Sequence, residues 1–493
     1  MTEPRMTAGR YPGGHADAMN LMKDRSGDRG CTMGRTRNVK LAAAIQELGL
    51  SQARVAARFR AVAAENTVPE LDNVTQSHIA RWVGGTRPSG RAPSILCETL
   101  SRGLGRIVTP ADIGLALEEG AVLQPPEWSV DTLTTLVNLG GTDMDIDRRR
   151  VLARSAYSVA GLALPSESWW AEAAERARTR RAVSQHTVAP QDVESIHEMT
   201  LFFSRRDQLR GGRGVGRTAL LAYLRTEVAE HLGGQFPSEE LRRATTSAAG
   251  ELAYLAGWTA FDAGEHPVAL RWFTVATQMA EEAHDAPLAG HVMRAMAHQA
   301  VDLQQPMEAV RLSASSMEGK RYTNASWRER ALLGVVHARG LAAAGRRKEA
   351  LATLLRAESD LSRASEGDDE PGRVWFFGEA SLAHETAAAL RDLGDLKGAE
   401  KQFQHSVRTR RAQFQRTHSV TLGYLGAVQV QQGKLEAACD TWGQALDTMA
   451  GVQSGRARET VVQMRRALSP FRNRAGSTAA DLDAKARAVL GLG

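Results

Sequence analysis

Hydrophobic residues recur at intervals of three and four along most of this chain, which places them on one face of an α-helix. The N-terminal segments KLAAAIQELGL, SQARVAARFRAVAAE and TQSHIARWVGG show this spacing, and QDVESIHEMTLFFSRRDQ and TALLAYLRTEVAEHL show it farther along. Few stretches alternate as a β-strand would, and Phe, Tyr and Trp make up only 5% of the residues. The pattern therefore predicts an all-α protein.

Interruptions of the helical spacing divide the chain into segments. The first segment has no periodicity and predicts a disordered arm, and a Pro- and Gly-containing stretch after the head predicts a linker. Within the head, Gly49 predicts the end of one helix and Ser51 the N-cap of the next. The predicted segments are an arm (1–34), a helix-turn-helix head (35–120), a linker (121–147), a helical connecting region (148–240), a repeat array (241–475) and a C-terminal tail (476–493).

The array repeats a four-position pattern of Gly, Ala five residues later, an apolar residue four later and a small residue three later. In a helical hairpin, Gly would end the first helix, Ala would let the second approach closely, and the large residue would fill the space beside the next hairpin. The Ala positions are 40, 41, 49 and 39 residues apart. The five registers, the second of them degraded, are Gly264/Ala269/Phe273/Ala276, Gln304/Ala309/Ser313/Ser316, Gly345/Ala350/Leu354/Ala357, Gly394/Ala399/Phe403/Ser406 and Gly433/Ala438/Trp442/Ala445.

Charge is concentrated in the head. The whole chain carries a formal net charge of +6 over 493 residues, whereas the segment from Arg35 to Arg91 alone carries nine basic residues against four acidic ones. A basic head favours contact with a polyanion, although an arginine-rich composition throughout the proteome would give the same count.

The three cysteines, Cys31, Cys97 and Cys439, are too far apart to indicate a disulfide framework or a zinc site. No apolar run is long enough to span a bilayer, and the N-terminus lacks the order of a signal peptide. We therefore expect a cytoplasmic protein that does not contact a membrane.

The run from Thr75 to Pro88 carries the candidate chemistry of the head. In a helix that begins at Gln76, the residues Ile79, Trp82 and Val83 share a buried face. Gln can bond adenine in the major groove and Arg can bond guanine, so an outward face bearing both suits entry into the groove. The predicted DNA-binding residues are Gln52, Arg54, Thr75, Gln76, Ser77, His78, Arg81 and Arg87, with Gln76 and Arg81 the strongest candidates and His78 alone better explained as a solvated side chain.

This run resembles the recognition helix of the XRE, or phage-repressor, helix-turn-helix family, and the segment 51–56 is similar to that family's first motif helix. The family joins these helices by a short turn, whereas here the residues RAVAAENTVPELDNV intervene. Residues 250–450 resemble a tetratricopeptide repeat (TPR) array, most clearly in ELAYLAGWTAFDAGEHPVALRWFTVATQMA. Together they are similar to the actinobacterial transcriptional regulators that join an XRE-type head to a TPR domain.

Two features of the sequence could indicate catalysis or metal binding: a glycine-rich run and the histidines of the array. The run Gly211 to Thr218 fits a phosphate-binding loop except for its lysine, but it follows a polar helical segment where that loop requires a strand. A glycine-rich turn that caps the next helix, with or without an anion, explains it better. The histidines of the array show no metal-ligand spacing. We expect no enzyme activity, no cofactor and no metal site.

In a TPR array the first helix of each hairpin lines the inner surface, so its polar and aromatic residues are the candidate ligand contacts. The array has almost no asparagine to clamp a peptide backbone, so a metabolite, a protein partner or self-association is favoured over a peptide. The predicted groove residues are Tyr254, Trp258, His291, Arg294, His298, Arg339, His384 and Arg391.

The resemblance implies a DNA-binding transcriptional regulator that forms a homodimer on double-stranded DNA and whose array senses a small-molecule, peptide or protein ligand. The alternative is a TPR scaffold or adaptor that binds proteins without recognising DNA.

Overall fold

The computed structural model describes residues 37–65, 68–89, 91–104, 108, 110, 112–115, 131–144, 167–365, 369–468 and 476–491. Over these residues the chain is helical apart from one isolated β-bridge between Thr187 and Gln235, which confirms the all-α prediction. The predicted arm at 1–34 lies outside the described residues. None of the described helices is both long enough and apolar enough to cross a bilayer.

The described residues of the head form four α-helices: α1 Val39–Glu47, α2 Gln52–Glu65, α3 Gln76–Val83 and α4 Ala92–Leu104. They enclose one apolar core, in which Phe59 of α2 contacts Trp82 of α3 with ring centroids 5.4 Å apart. Ser51 caps α2 by accepting the Arg54 N–H at 3.3 Å, and Gly49 has a φ of 66°, as the sequence predicted for a helix stop followed by a cap. The head is therefore a small bundle with its own core.

The connection between α2 and α3 departs from a short helix-turn-helix turn in two ways. Helix α2 extends to Glu65, and a 3₁₀ turn, Pro69–Leu71, follows before α3 begins. The guanidinium of Arg60 donates to the Val74 carbonyl at 2.7 Å, which fixes the chain just before α3. The added residues thus lengthen a helix and form an anchored turn.

The remaining helices form the body of the protein. Those before the repeats are α5 Thr132–Met144, α6 Glu167–Arg178, α7 Pro190–Arg210, α8 Val215–Tyr223, a π-helical turn Leu224–Val228 and α9 Ala229–Leu232. The repeat helices are α10 Glu239–Asp262, α11 His266–Glu282, α12 Ala286–Asp302, α13 Pro306–Ser316, α14 Lys320–Thr323, α15 Trp327–Ala343, α16 Arg347–Arg363, α17 Glu379–Asp392, α18 Leu396–Thr409, α19 Gln415–Gln431 and α20 Leu435–Thr448. Helices α21 Gly455–Leu468 and α22 Gly476–Leu490 follow, and 3₁₀ turns lie at Gly372–Val374 and Ala412–Phe414.

Five stacked helical hairpins correspond to the five sequence registers: α10–α11, α12–α13, α15–α16, α17–α18 and α19–α20. The turn of each hairpin contains a residue of positive φ at the first position of its register: Gly264, Gln304, Gly345, Gly394 and Gly433. Gln304, with a φ of 56°, adopts at some conformational cost what glycine adopts freely in the other four. The described body is thus a solenoid of helical hairpins, as the pattern predicted.

Two segments that composition assigned outside the array are helices packed on it. Part of the predicted linker at 121–147 is α5, which buries Leu136 and places Asp143 where it accepts the Trp272 indole N–H at 2.9 Å. Most of the predicted tail at 476–493 is α22, which buries Leu482 and Ala486. Thr- and Gly-rich composition lowers helix propensity, but burial of an apolar face outweighs it.

The stack of hairpins curls until its end contacts its beginning. Helix α7, which the sequence assigned to the connecting region at 148–240, packs against both α10 and α19. Farther along, Gly455 at the start of α21 lies against the backbone of Ala263, where a Cβ would come within 2.6 Å. The inner face of the array is therefore largely enclosed, where the sequence predicted an open groove.

Candidate functional site

Helix α3 presents a polar face to solvent and an apolar face to the head. Gln76, Ser77 and Arg81 are exposed, whereas Ile79, Trp82 and Val83 are buried. The buried side anchors the helix against α2, so the outward side chains are held by a rigid element. The predicted division of α3 into an anchoring face and an outward face is confirmed, and its contact with DNA stays a prediction.

Thr75 and His78 form hydrogen bonds with each other at the start of α3. The Nδ1 atom of His78 accepts the Thr75 backbone N–H at 3.2 Å and lies 3.0 Å from the Thr75 hydroxyl. This reciprocal cap satisfies a donor that the first turn of a helix would otherwise leave unpaired. The structure thus explains both residues as helix caps, and Gln76, Ser77 and Arg81 are left as the exposed residues of α3 among those predicted.

The other predicted head residues lie beside the start of α2 and after α3. Arg54 and Arg87 are exposed, and Gln52 is half-buried at the first position of α2. A helix N-terminus carries a partial positive charge and unpaired backbone N–H groups, which suit a phosphate. The contact of these residues with a DNA backbone stays a prediction.

Six of the eight predicted groove residues are buried: Tyr254, His291, Arg294, His298, Arg339 and His384. Trp258 and Arg391 are half-buried. The register placed all eight on the first helices of the hairpins, α10, α12, α15 and α17, and the structure brings them to the enclosed interior. Because α7 packs across that interior, these side chains form its polar lining instead of the wall of an open channel.

One part of this lining is built around Arg294 on α12. Its guanidinium donates to the Tyr254 hydroxyl at 2.8 Å and lies 3.0 Å from Nε2 of His291. Burial and the charge of Arg294 lower the pKa of His291 to about 4, so this imidazole is neutral near pH 7. The contact at Nε2 then requires the tautomer that carries its proton on Nδ1, which faces Glu329 at 3.4 Å.

A second part joins α12, α15 and α17. Arg339 donates to Glu385 at 2.9 Å and lies 3.3 Å from Nε2 of His298. Burial, with the charges of Arg339 and Arg456, lowers the pKa of His298 well below its usual value. His384 is likewise held neutral, since burial and the charges of Arg410 and Arg339 lower its pKa.

Arg373 forms ion pairs with carboxylates on two helices of the interior, and it was not predicted from the sequence. It lies in the connection between α16 and α17 and donates to Glu329 at 2.7 Å and to Glu251 at 2.6 Å. Burial alone would raise the pKa of Glu251, but the contacts with His197 and Arg373 lower it to about 2. The signal that could have found this residue is the 49-residue repeat spacing, which marks an inserted segment between the third and fourth hairpins.

A cavity of about 580 Å³ opens among α12, α15, α17 and α21. Its charged lining includes Arg339, Arg391 and Arg456 and the acidic residues Asp302, Asp392 and Glu459. Arg391 also lies over the ring of Tyr424 at 5.4 Å. The volume falls within the range of small-molecule sites, and the mixture of charges suits a polar ligand bearing both signs.

The glycine-rich turn before α8 packs closely against α10. Its Gly212 N–H donates to the buried carboxylate of Asp262 at 2.9 Å, and a Cβ on Gly212 would come within 2.4 Å of the Thr259 carbonyl oxygen. Asp262 also accepts from Arg416 at 3.1 Å and from Ser454 at 2.8 Å. The anion bound by this turn is thus a side chain of the protein itself.

Comparison with known proteins bears on the head alone. Residues 41–116 match the family described as the SP15 N-terminal domain. That segment contains α1 to α4 and ends close to the predicted boundary at residue 120, so the head is similar to a recognised domain. No curated protein matches the chain.

Proposed function

We propose that this protein is a DNA-binding transcriptional regulator that reads its operator with α3. The observation that carries the proposal is the exposure of Gln76 and Arg81 on a helix whose other face is anchored by Ile79, Trp82 and Val83. An amide and a guanidinium held outward by a rigid helix are the groups that pair with adenine and guanine in the major groove. Ser77 between them tolerates either base.

The approach to the phosphate backbone is provided by the N-terminus of α2 and by exposed arginines. Gln52 begins α2, and Arg54 and Arg58 follow on its first turns, both exposed. In helix-turn-helix proteins the first helix contacts the backbone while the second enters the groove. The longer connection between α2 and α3 alters the turn but leaves both helices against the same core.

The array would bind the ligand to which the regulator responds. The 580 Å³ cavity is too small for a helix, and α7 already covers much of the inner face, so a polar small molecule is a better occupant than a peptide or an amphipathic helix. Two of the predicted groove residues, Arg339 and Arg391, line this cavity. In a homodimer, a ligand that shifts the array would change the separation of two heads, which must match half-sites about one helical turn apart.

The DNA-binding proposal is tested with Arg81→Ala and Gln76→Ala. A sequence selected from genomic fragments by the full-length protein is titrated by fluorescence anisotropy at several salt concentrations. We expect each substitution to weaken specific binding by about 1–3 kcal/mol, since each removes a contact to a base edge. The affinity of the unsubstituted protein should fall steeply as salt rises, because phosphate contacts release counterions.

Arg408→Ala is the matched control, because Arg408 is an exposed arginine on α18, far along the chain from the head. It should bind DNA as the unsubstituted protein does. If no genomic fragment is selected, or if Arg81→Ala and Arg408→Ala bind alike, the regulator proposal fails and protein docking by the array is left as the function.

A further inference from the structure

Two imidazoles and one carboxylate lie close together where α7 begins, apart from the exposed face of α3 and from the cavity of the array. His186 precedes α7, Asp192 lies in its first turn, and His231 lies on α9. One donor atom from each lies within 4.8 Å of the other two. The Oδ2 atom of Asp192 is 3.0 Å from Nε2 of His186 and 3.9 Å from Nδ1 of His231.

We propose that His186, Asp192 and His231 bind a divalent first-row transition-metal ion, for which Zn²⁺ is the natural choice. Zinc is held by imidazole nitrogen and carboxylate oxygen at about 2.0–2.2 Å, which separates neighbouring tetrahedral ligands by roughly 3.4 Å. The two separations to Asp192 bracket that value, and the two imidazole nitrogens lie within 4.8 Å of each other, so rotations of the three side chains would complete the ligand set. Three protein ligands leave one position open for water.

Two unpartnered polar atoms lie at the same place. Among the described residues, Nδ1 of His231 is buried without a hydrogen-bond partner, and so is the hydroxyl of Tyr223. Tyr223 is close enough to Asp192 to feel its charge. Buried polar atoms without partners are rare in folded proteins and call for a missing ligand or ion. The metal ion would satisfy His231, and a water on the open position could accept from Tyr223.

The backbone around the cluster is held in place by a short pairing of two segments. The Gln235 N–H donates to the His186 carbonyl at 2.8 Å, and the Val188 N–H donates to the Gln235 carbonyl at 3.0 Å. Between Tyr223 and His231 the helix widens into the π-helical turn Leu224–Val228, a feature that often occurs at functional sites. Segments distant in sequence are thus fixed around one point before any ion binds.

The ion would fasten the start of α7 to α9. Because α7 continues across the array to contact α19, with Asp207 near its end bonded to Arg416 at 3.0 Å, the ion would help to hold that helix against the hairpins. No metal site was predicted from the sequence because no ligand set stands at helical spacing along the chain. Here the ligands come from three separate segments, and the proposal is independent of DNA binding.

The test is metal binding by the full-length protein after removal of metal with a chelator. We expect one equivalent of Zn²⁺ to bind in competition with a chromophoric chelator, to raise Tm, and to be replaceable by Co²⁺ with visible absorption bands of a nitrogen- and oxygen-ligated ion. His186→Ala and His231→Ala should each weaken binding by at least about tenfold, since the loss of a group that only hydrogen-bonds a metal ligand already costs about 10–100-fold. The same variants should lose the rise in Tm.

His405→Ala is the matched control. His405 is also bonded to a carboxylate, Glu379 at 2.8 Å, but belongs to no three-ligand cluster among the described residues. It should keep full Zn²⁺ affinity. Circular dichroism in the presence of chelator verifies that the variants are folded. Absence of stoichiometric binding, or binding that both histidine variants retain, overturns the proposal.

Discussion

Arg373→Ala should lower the free energy of unfolding by about 3–5 kcal/mol, because it leaves two buried carboxylates without their counter-charge. Glu329 is fully buried and Glu251 is 5% exposed, and Arg373 is the cation that bonds to both. Removing one partner of a buried ion pair costs far more than the pair contributes, since the remaining charge stays desolvated. Urea denaturation followed by tryptophan fluorescence measures the loss.

Two comparisons make this result specific. Arg346→Ala removes an exposed arginine paired with Glu349 on α16, and should cost no more than about 1 kcal/mol. Combining Arg373→Met with Glu251→Gln and Glu329→Gln should recover much of the stability, because no charge is then left buried alone. An Arg373→Ala protein as stable as Arg346→Ala would show that the carboxylates are solvated.

The repeats could be predicted because each hairpin is encoded locally. Gly264, Ala269 and Phe273 lie within one turn and one helix, so their spacing shows in the sequence. The same holds for α3, where about two turns of pattern separate Ile79 and Val83 from Gln76 and Arg81. Local spacing determines which face of a helix is buried, whatever it is buried against.

The closure of the array could not be predicted, because its contacts join residues far apart in the chain. Arg416 pairs with Asp262 and Asp207, which lie 154 and 209 positions away, and nothing in the local pattern marks these residues as partners. The degree to which the inner face of the array is covered has the same origin. The register placed His291 and Arg339 on the inner face, but only the position of α7 determines whether that face is open.

Helix α5 shows how burial overrides composition. Its sequence, TLTTLVNLGGTDM, contains four Thr and two Gly, and the interpretation as a linker followed from that content. In the structure Gly140 packs beside the side chain of Arg225 and the ring of Trp272. The small residues permit close packing, which sequence composition alone does not distinguish from flexibility.

Acid should destabilise this protein well before its carboxylates are protonated, because the array buries neutral histidines. His266, His291, His298 and His384 are all buried, and burial is the largest cause of the lowered pKa of each. The pKa falls to about 3 for His266 and to about 4 for His291. In the unfolded chain these groups take up a proton near pH 6.5. The unfolded state therefore binds protons at a pH at which the folded state does not bind them.

The direction in which stability changes with pH follows from that difference in proton binding. Stability is fully present above pH 6.5 and is lost as pH falls toward the folded pKa values, at about 1.4 kcal/mol per pH unit for each histidine. Asp207 acts in the opposite direction, since burial raises its pKa to about 6 and the folded state then binds a proton first. The raised pKa values of Glu282 and His197 act in the same direction as that of Asp207, but the lowered pKa values of His284, His337 and His418 add to the loss from the four buried histidines. The carboxylate of Glu251, with its pKa of about 2, adds a loss only below pH 4.5.

Between pH 7 and pH 5.5 we therefore expect the free energy of unfolding to fall on the order of 3 kcal/mol, measured as the shift of the urea midpoint at constant m-value. His384→Gln should reduce this pH dependence by about one proton, because it removes one buried group that titrates only after unfolding. His405→Gln, at a half-buried position outside this group of four, is the comparison variant. A urea midpoint that stays constant from pH 7 to pH 5.5 would show that the four imidazoles are accessible to protons in the folded state. The enclosed interior, in place of the open groove that the sequence predicted, accounts for why they are not.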